Sequence, residues 1–251
     1  MSDKVAVVTG ASSGIGRASA KVFAQNGFSV VAVGRAEKEL SELVRSCAPA
    51  TVKIQLADVT ESSQIDRIVS DTLAHLGRID VLVNSAGIIS NGTIETTPLD
   101  EWDKMMTINL RSVFQLSEKC VPHLIKSKGS IVNVSSVAGT RAFPNLLAYC
   151  VSKAAIDQFT RCTALELAPK GVRVNAVNPG VVVTNIHKRG GMDESSYDAF
   201  LEHSKTTHPI GRVGTAEEVA ELMYFLASDK AGWITGATYE IDGGRALTCA
   251  R

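Results

Sequence analysis

Six short runs dominated by valine and isoleucine punctuate the 251-residue chain, at positions 5–9, 29–33, 51–56, 79–83, 130–134 and 172–177. Most are too continuously apolar to keep one face in water, and longer stretches with apolar residues at helical spacing separate them. Strands covered on both faces are the mark of a parallel sheet, whose neighbours need a crossover, usually a helix, between them. The pattern predicts a doubly wound α/β fold, with helices near 14–26, 36–47, 61–76, 101–126, 149–168 and 216–227. In the first of these Ile15, Ala18, Val22 and Phe23 share one face, and Asn26-Gly27 supplies the stop. Pro122 should kink or split the long fourth helix. No linker, repeat or low-complexity segment divides the chain. Residues 1–251 therefore read as one domain, a central parallel sheet with helices on both faces.

Charge narrows the partners. Lys and Arg number 26 and Asp and Glu number 26, with no basic stripe, so the attraction on which nucleic-acid and membrane-surface binding rely is missing. Met1-Ser2-Asp3-Lys4 leads straight into the first short strand, unlike a secretory leader, and no apolar stretch is long enough to span a bilayer. Cys47, Cys120, Cys150, Cys162 and Cys249 are odd in number, scattered and without metal-ligand spacing. They suit reduced thiols and give no metal site. The expectation is a cytoplasmic protein acting on a small molecule, with neither nucleic acid nor membrane as partner.

The turn after the first strand, Thr9-Gly10-Ala11-Ser12-Ser13-Gly14-Ile15-Gly16, opens the first helix. Gly10, Gly14 and Gly16 let backbone N–H groups, with Ser12, Ser13 and Ile15 among them, approach a pyrophosphate at the positive helix end. The spacing, three residues and then one, departs from G-x-G-x-x-G. Its place inside a βαβ unit still favours dinucleotide binding over a plain tight connection. At the end of the second strand an acid would bond a ribose 2′-OH, whereas an Arg would accommodate a 2′-phosphate. Gly34-Arg35 stands there, so Arg35 is free to grip a phosphate and NADP(H) is favoured over NAD(H). The alternative is a solvated Arg35 offset by Glu37. Asp58-Val59, after the third strand, suits the adenine edge or, equally, an N-cap. Asn84-Ser85-Ala86-Gly87, ending the fourth, leaves room for a cofactor across the strand ends.

Tyr149-Cys150-Val151-Ser152-Lys153 puts Tyr149 and Lys153 four apart on one helix face. A free tyrosine titrates near pH ~10, so acid–base work near neutrality needs a shift of roughly 3 units, about 4 kcal/mol. An ammonium at ~4 Å in a partly shielded site supplies on the order of 4 kcal/mol. Taken alone, such a pair is more often an ordinary surface contact.

Together, Thr9-Gly10, Gly14-Ile15-Gly16, Asn84-Ser85-Ala86-Gly87, Asn109, Ser136, Tyr149, Lys153 and Pro179-Gly180 resemble, in order and interval, the short-chain dehydrogenase/reductase family over essentially the whole chain. Ser85 departs from that family's usual second Asn, and Cys150 stands where a Ser or Ala is common. Neither change touches a proton-transfer atom. The resemblance implies a Rossmann-type fold and interconversion of a ketone or aldehyde and an alcohol by hydride transfer with a nicotinamide cofactor. It implies that Tyr149 is the general acid in reduction and the base in oxidation, with Lys153 lowering its pKa and binding the nicotinamide ribose. An oxidised nicotinamide would add a second positive charge beside the phenol. Ser136 would hold the carbonyl oxygen, with Ser135 the weaker candidate, and Asn109 would position water leading to Lys153.

The resemblance also makes Pro179, Gly180, Val182 and Thr184, within the run 178–184, the cover over the nicotinamide carboxamide. Residues 185–211 are then the substrate lid and the least regular part, hinged at Gly190-Gly191. The cations of that lid suit an acidic substrate, although most of its polar side chains, His187 and His208 included, are expected to be solvated. Residues 235–244 match the family's last strand and turn. Family members commonly assemble as dimers or tetramers through the helices holding Asn109 and Tyr149 and through this strand, and a homotetramer is expected. Apolar residues on more than one face of the Tyr149 helix (Val151, Ile156, Phe159, Leu165) agree with that. A non-catalytic regulator or scaffold of the same fold is the alternative. A dehydratase or epimerase would need a further acid in the pocket.

Overall fold

A computed structural model describes residues 4–248. Met1, Ser2, Asp3 and Cys249, on which the leader and thiol readings partly rest, lie outside the described residues. Seven strands, β1 (Val5–Thr9), β2 (Ser29–Gly34), β3 (Val52–Leu56), β4 (Val81–Asn84), β5 (Ser130–Val134), β6 (Arg173–Pro179) and β7 (Thr238–Ile241), form one sheet in the order β3-β2-β1-β4-β5-β6-β7. Every neighbouring pair is parallel.

The strands alternate faces with period two. On β1, Ala6 and Val8 point to one side, where they meet Phe23 of α1 (Gly14–Gln25), Leu40 and Leu43 of α2 (Glu37–Cys47) and Met223 of α10 (Ala216–Ala227). Val5 and Val7 point to the other, against Ile65 and Ile68 of α3 (Ser62–Leu76), Leu116 and Leu124 of α5 (Ser112–Ser127) and Leu167 of α7 (Leu147–Leu167). Sequence and structure therefore agree on one Rossmann-type domain of three layers. The order reverses between β1 and β4, so the chain leaves their carboxyl ends in opposite directions and opens a crevice there.

Two expectations are corrected. The region predicted as one helix over 101–126 is α4 (Leu99–Met106), a π turn (Thr107–Arg111) and α5, and α5 runs unbroken through Pro122. Pro122 and Glu118, whose carbonyl loses its partner, are both exposed, so water can serve that carbonyl. The break in α geometry instead falls at Asn109, and π turns of this kind cluster at functional sites. The segment 185–211 is not irregular either. After α6 (Val137–Thr140) and α7, the chain forms α8 (Ile186–Arg189) and the 14-residue α9 (Glu194–Thr207). Asp193 caps α9 by accepting from the Ser196 amide at 2.9 Å.

Candidate active site

The glycine turn is built from close approaches that a side chain would spoil. Gly10 has φ +67°, and a Cβ on it would stand 2.9 Å from the Ser85 carbonyl oxygen. A Cβ on Gly16 would fall 2.5 Å from the Gly10 carbonyl oxygen, so α1 rests directly on the turn. No side chain caps α1 and no acid lies in its first turn. Its positive end is left for an anion. The Thr9 hydroxyl accepts from the Ser85 and Ala86 amides at 3.0 and 3.1 Å and so ties the loop after β4 to the end of β1.

A cleft of about 730 Å³ runs over these strand ends, from Arg35 and Asp58 to Phe143 and Arg245. Gly10, Ser12, Ser13, Gly14, Ile15, Gly16, Val59, Ala86, Gly87, Ser136, Tyr149, Lys153, Pro179, Gly180, Val182 and Thr184 all line it. At one end Arg35 donates to Asp58 at 3.0 Å, so Arg35 is paired rather than free. With Arg35 72% exposed, the pair is worth well under ~1 kcal/mol and an incoming phosphate can replace it. Asp58 is not an N-cap, since Glu61 holds that position. It turns back on Thr60, accepting from its amide and hydroxyl at 3.0 and 2.8 Å. Against the upward push of burial, the Thr60 and Arg35 hydrogen bonds keep its carboxyl below the ordinary range.

At the other end Ser136, Tyr149 and Lys153 converge. Tyr149 and Lys153 sit one turn apart on α7, and the Ser136 hydroxyl is near enough to the phenol to draw its pKa down. Burial works against the expected depression of the Tyr149 pKa by Lys153. Burial raises the phenol, Ser136 pulls it partly back, and Cys150 opposes. The Lys153 ammonium lies 5.7 Å from the ring centroid and donates to the Val134 carbonyl at 2.9 Å, not to the phenol. Burial also lowers Lys153 itself from 10.5 to about 8, with Asp157 resisting. Ser135 is spent on the backbone of α7, donating to the Lys153 carbonyl at 3.1 Å.

Asn84 and Asn109 do not line the cleft. Parallel register sets Asn84 beside Asn133, and its amide donates to Asn133 at 2.9 Å, joining β4 to β5 beneath the cleft floor. Asn109 accepts from the Ile88 amide at 2.9 Å and donates to the Ile88 carbonyl at 3.0 Å and to Ser152 at 3.1 Å. Its side chain thus binds the loop after β4 to α7. A Cβ on Gly87 would meet both Asn109 Oδ1 at 3.3 Å and Lys153 Nζ at 3.7 Å.

Residues 10–246 match the family model described as enoyl-(acyl carrier protein) reductase. The chain is 40% identical over 244 residues to the 3-oxoacyl-[acyl-carrier-protein] reductase FabG of Thermotoga maritima, covering 96% of this chain and 97% of that one. The chain belongs to the short-chain dehydrogenase/reductase family. It is 37% identical over 245 residues to the NAD-dependent glycerol dehydrogenase of Listeria innocua, covering 97% of this chain and 94% of that one. It superposes with a TM-score of 0.94 on a short-chain dehydrogenase/reductase of unknown function from Caenorhabditis elegans solved with cofactor, at 39% identity, covering 99% and 97%. As a short-chain dehydrogenase/reductase it is an oxidoreductase acting between carbonyl and CH–OH groups.

In this short-chain dehydrogenase/reductase Arg189 and His203 of the lid are exposed as expected, but His208 is not. Tyr197 and His208 are 4% and 2% exposed. The Tyr197 hydroxyl donates to the Thr184 carbonyl at 2.8 Å and accepts from the Thr184 amide at 3.2 Å. His208 Nδ1 bonds the Ser204 carbonyl at 2.6 Å, which leaves Nε2 to accept from the Val181 amide at 3.1 Å. Burial holds His208 below its ordinary value, in keeping with a neutral ring. Two side chains of the lid region thus pin both ends of 181–184. Their sequence signal was available: Asp193 as a cap, then Tyr197, Phe200 and Ser204 at helical spacing. His187 is half-buried, lining the cleft with its ring centroid 4.6 Å from that of Phe200.

Proposed function

We propose an NADP(H)-dependent oxidoreductase that interconverts a ketone or aldehyde and an alcohol, with Tyr149 as general acid/base. The observation that carries this reading is the convergence of Tyr149, Ser136 and Lys153 at one end of a cleft whose other end holds the glycine turn and Arg35. The residues present fit a dinucleotide: Gly10 and Gly16 leave no room for a Cβ, and the uncapped end of α1 faces the cleft. Gly10, Ser12, Ser13, Gly14, Ile15 and Gly16 would hold the pyrophosphate, Asp58, Val59, Ala86 and Gly87 the adenosine half, and Pro179, Gly180, Val182 and Thr184 the nicotinamide. Asn84 acts by fixing the strand ends. When bound, the cofactor supplies or accepts the hydride.

In reduction Ser136 and Tyr149 hold the carbonyl oxygen, and the phenol, kept neutral by burial, is in the form that can donate its proton. Lys153 stabilises the phenolate left behind, and Asn109 keeps the loop after β4 and α7 in register around it. The reverse direction uses the same groups with the proton moving to Tyr149. No observation favours a scaffold without catalysis.

For cofactor choice, Arg35→Ala is expected to lower kcat/KM for NADPH by about 10–100-fold, the worth of a hydrogen bond to a charged group, while NADH changes little. Initial rates with both cofactors check this, and a wild type that prefers NADH overturns the assignment. Assembly as a homotetramer in the cytoplasm completes the proposal. Met106, Leu110, Phe114 and Phe159 line a shallow hollow on α4, the π turn, α5 and α7, and Phe114 there and Val151 and Leu165 of α7 are exposed. Light scattering should return about four chains per particle, and a monomer contradicts it.

A further inference from the structure

The substrate end of the cleft carries a cation that the chemistry above does not use. Arg245 stands in the 3₁₀ turn Arg245–Leu247 after β7 and lines the cleft with Phe143 and His187. Its guanidinium carbon lies 4.9 Å from the Phe143 ring centroid, a stacking that favours a fixed orientation. The turn itself is well held. Asp242 accepts from the amides of Gly244 and Ala246 at 2.9 and 2.6 Å, and Arg141 donates to the Ala246 carbonyl.

Among the described residues this arrangement leaves the guanidinium without a hydrogen-bonded counter-ion, the Asp242 charge acting on it only through space. Both oxygens of Asp242 are turned to their own backbone, and among the described residues no carboxylate forms an ion pair with Arg245. Asp58 is the one acid lining the cleft among the described residues, and it lies after β3, at the opposite edge of the sheet from β7. There it is already paired with Arg35. Burial first, and the Arg245 charge second, hold His187 below its ordinary titration range. Near neutrality His187 therefore adds no second charge, and apart from the buried Lys153, which donates to the Val134 carbonyl, the substrate end presents one half-buried positive group.

We propose that Arg245 receives the carboxylate of an oxo acid or of the corresponding hydroxy acid, so that the substrates of this enzyme carry one negative charge a few bonds from the reacting carbon. A planar guanidinium matches a carboxylate with two parallel hydrogen bonds. A phosphate monoester, with about −1.5 to −2 charges, calls for more than one cation, and the other cations lining the cleft are engaged: Lys153 with the Val134 carbonyl at 2.9 Å, Arg189 with Ser13 at 2.9 Å and Arg35 with Asp58 at 3.0 Å. The inference rests on the carbonyl–alcohol chemistry assigned above and is tested separately from it.

The test compares 3-oxobutanoate, 4-oxopentanoate and 5-oxohexanoate with their methyl esters, in turnover with reduced cofactor and in calorimetric binding with oxidised cofactor. For at least one chain length the free acid should exceed its ester in kcat/KM by about 10–100-fold. In Arg245→Met, which keeps an unbranched chain over Phe143, the acid-to-ester ratio should fall at least tenfold. Esters turned over as well as acids overturn the carboxylate assignment and leave the reaction class standing. So does an acid preference that survives in Arg245→Met. If no ketone is turned over but acids still bind more tightly than esters, the reaction assigned to the site fails and the carboxylate site holds. Equal binding of acid and ester by the wild type overturns it whatever the turnover.

Discussion

Tyr149→Phe is expected to lower turnover of ketones with NADPH by about 10²–10⁴, the usual contribution of a positioned general acid. The side chain is 8% exposed and packs with Met105, Ala138 and Ala148, and phenylalanine fills nearly the same volume. The melting temperature should accordingly move by no more than a few degrees, as for a change of about 1–2 kcal/mol in a chain of this size. What is removed is the proton itself and the hydroxyl on which Ser136 acts. A folded variant with undiminished kcat would sink the assignment of Tyr149. Equal loss in Ser136→Ala and in the double variant would indicate that the two hydroxyls act as a unit on one oxygen.

The second large effect belongs to Lys153. Replacing it by Met should lower kcat/KM for carbonyl reduction by about 10²–10³, the range seen when one preorganised electrostatic partner of a developing anion is removed. The pH dependence carries the diagnostic sign. Burial brings the Lys153 pKa down from 10.5 to about 8, so its charge is present below pH 8 and lost as the pH climbs. In the wild type kcat/KM for reduction should be level below that point and fall above it, about tenfold per unit, and Lys153→Met should lack this limb. A profile level to pH 10 counts against the role. The fall would not reflect unfolding through this group. The folded state binds fewer protons than the unfolded chain between about 8 and 10.5, so a buried lysine costs stability below pH 8 and costs less as the pH rises.

The parts of this fold legible in the sequence are those written in local patterns. β1, β5 and α10 fall where the valine-rich runs and the 3.6-residue spacing put them, because burial on both faces leaves few polar positions to blur the signal. Pro122 misled because the sequence shows the missing donor and not the solvent that replaces it. The lid was under-read for a related reason. Its helix α9 has a polar outer surface, and the few inward side chains, Tyr197 within it and His208 just past its end among them, are recognisable only once their partners at Thr184 and Val181 are in place.

The candidate site divides in the same way. By itself the sequence determined the family, the glycine turn and the pair Tyr149 and Lys153, since each is a short-range spacing of residue types whose chemistry needs that spacing. The tertiary structure alone decided which hydroxyl of Ser135 and Ser136 meets the phenol, that Lys153 turns to Val134, and that Arg35 is held by Asp58. It also brought Arg245 over Phe143, two residues that lie far apart in the chain. These are contacts between residues distant in sequence, chosen by how seven strands stack and where their ends fall, and no local pattern encodes the direction in which a buried donor will find its partner.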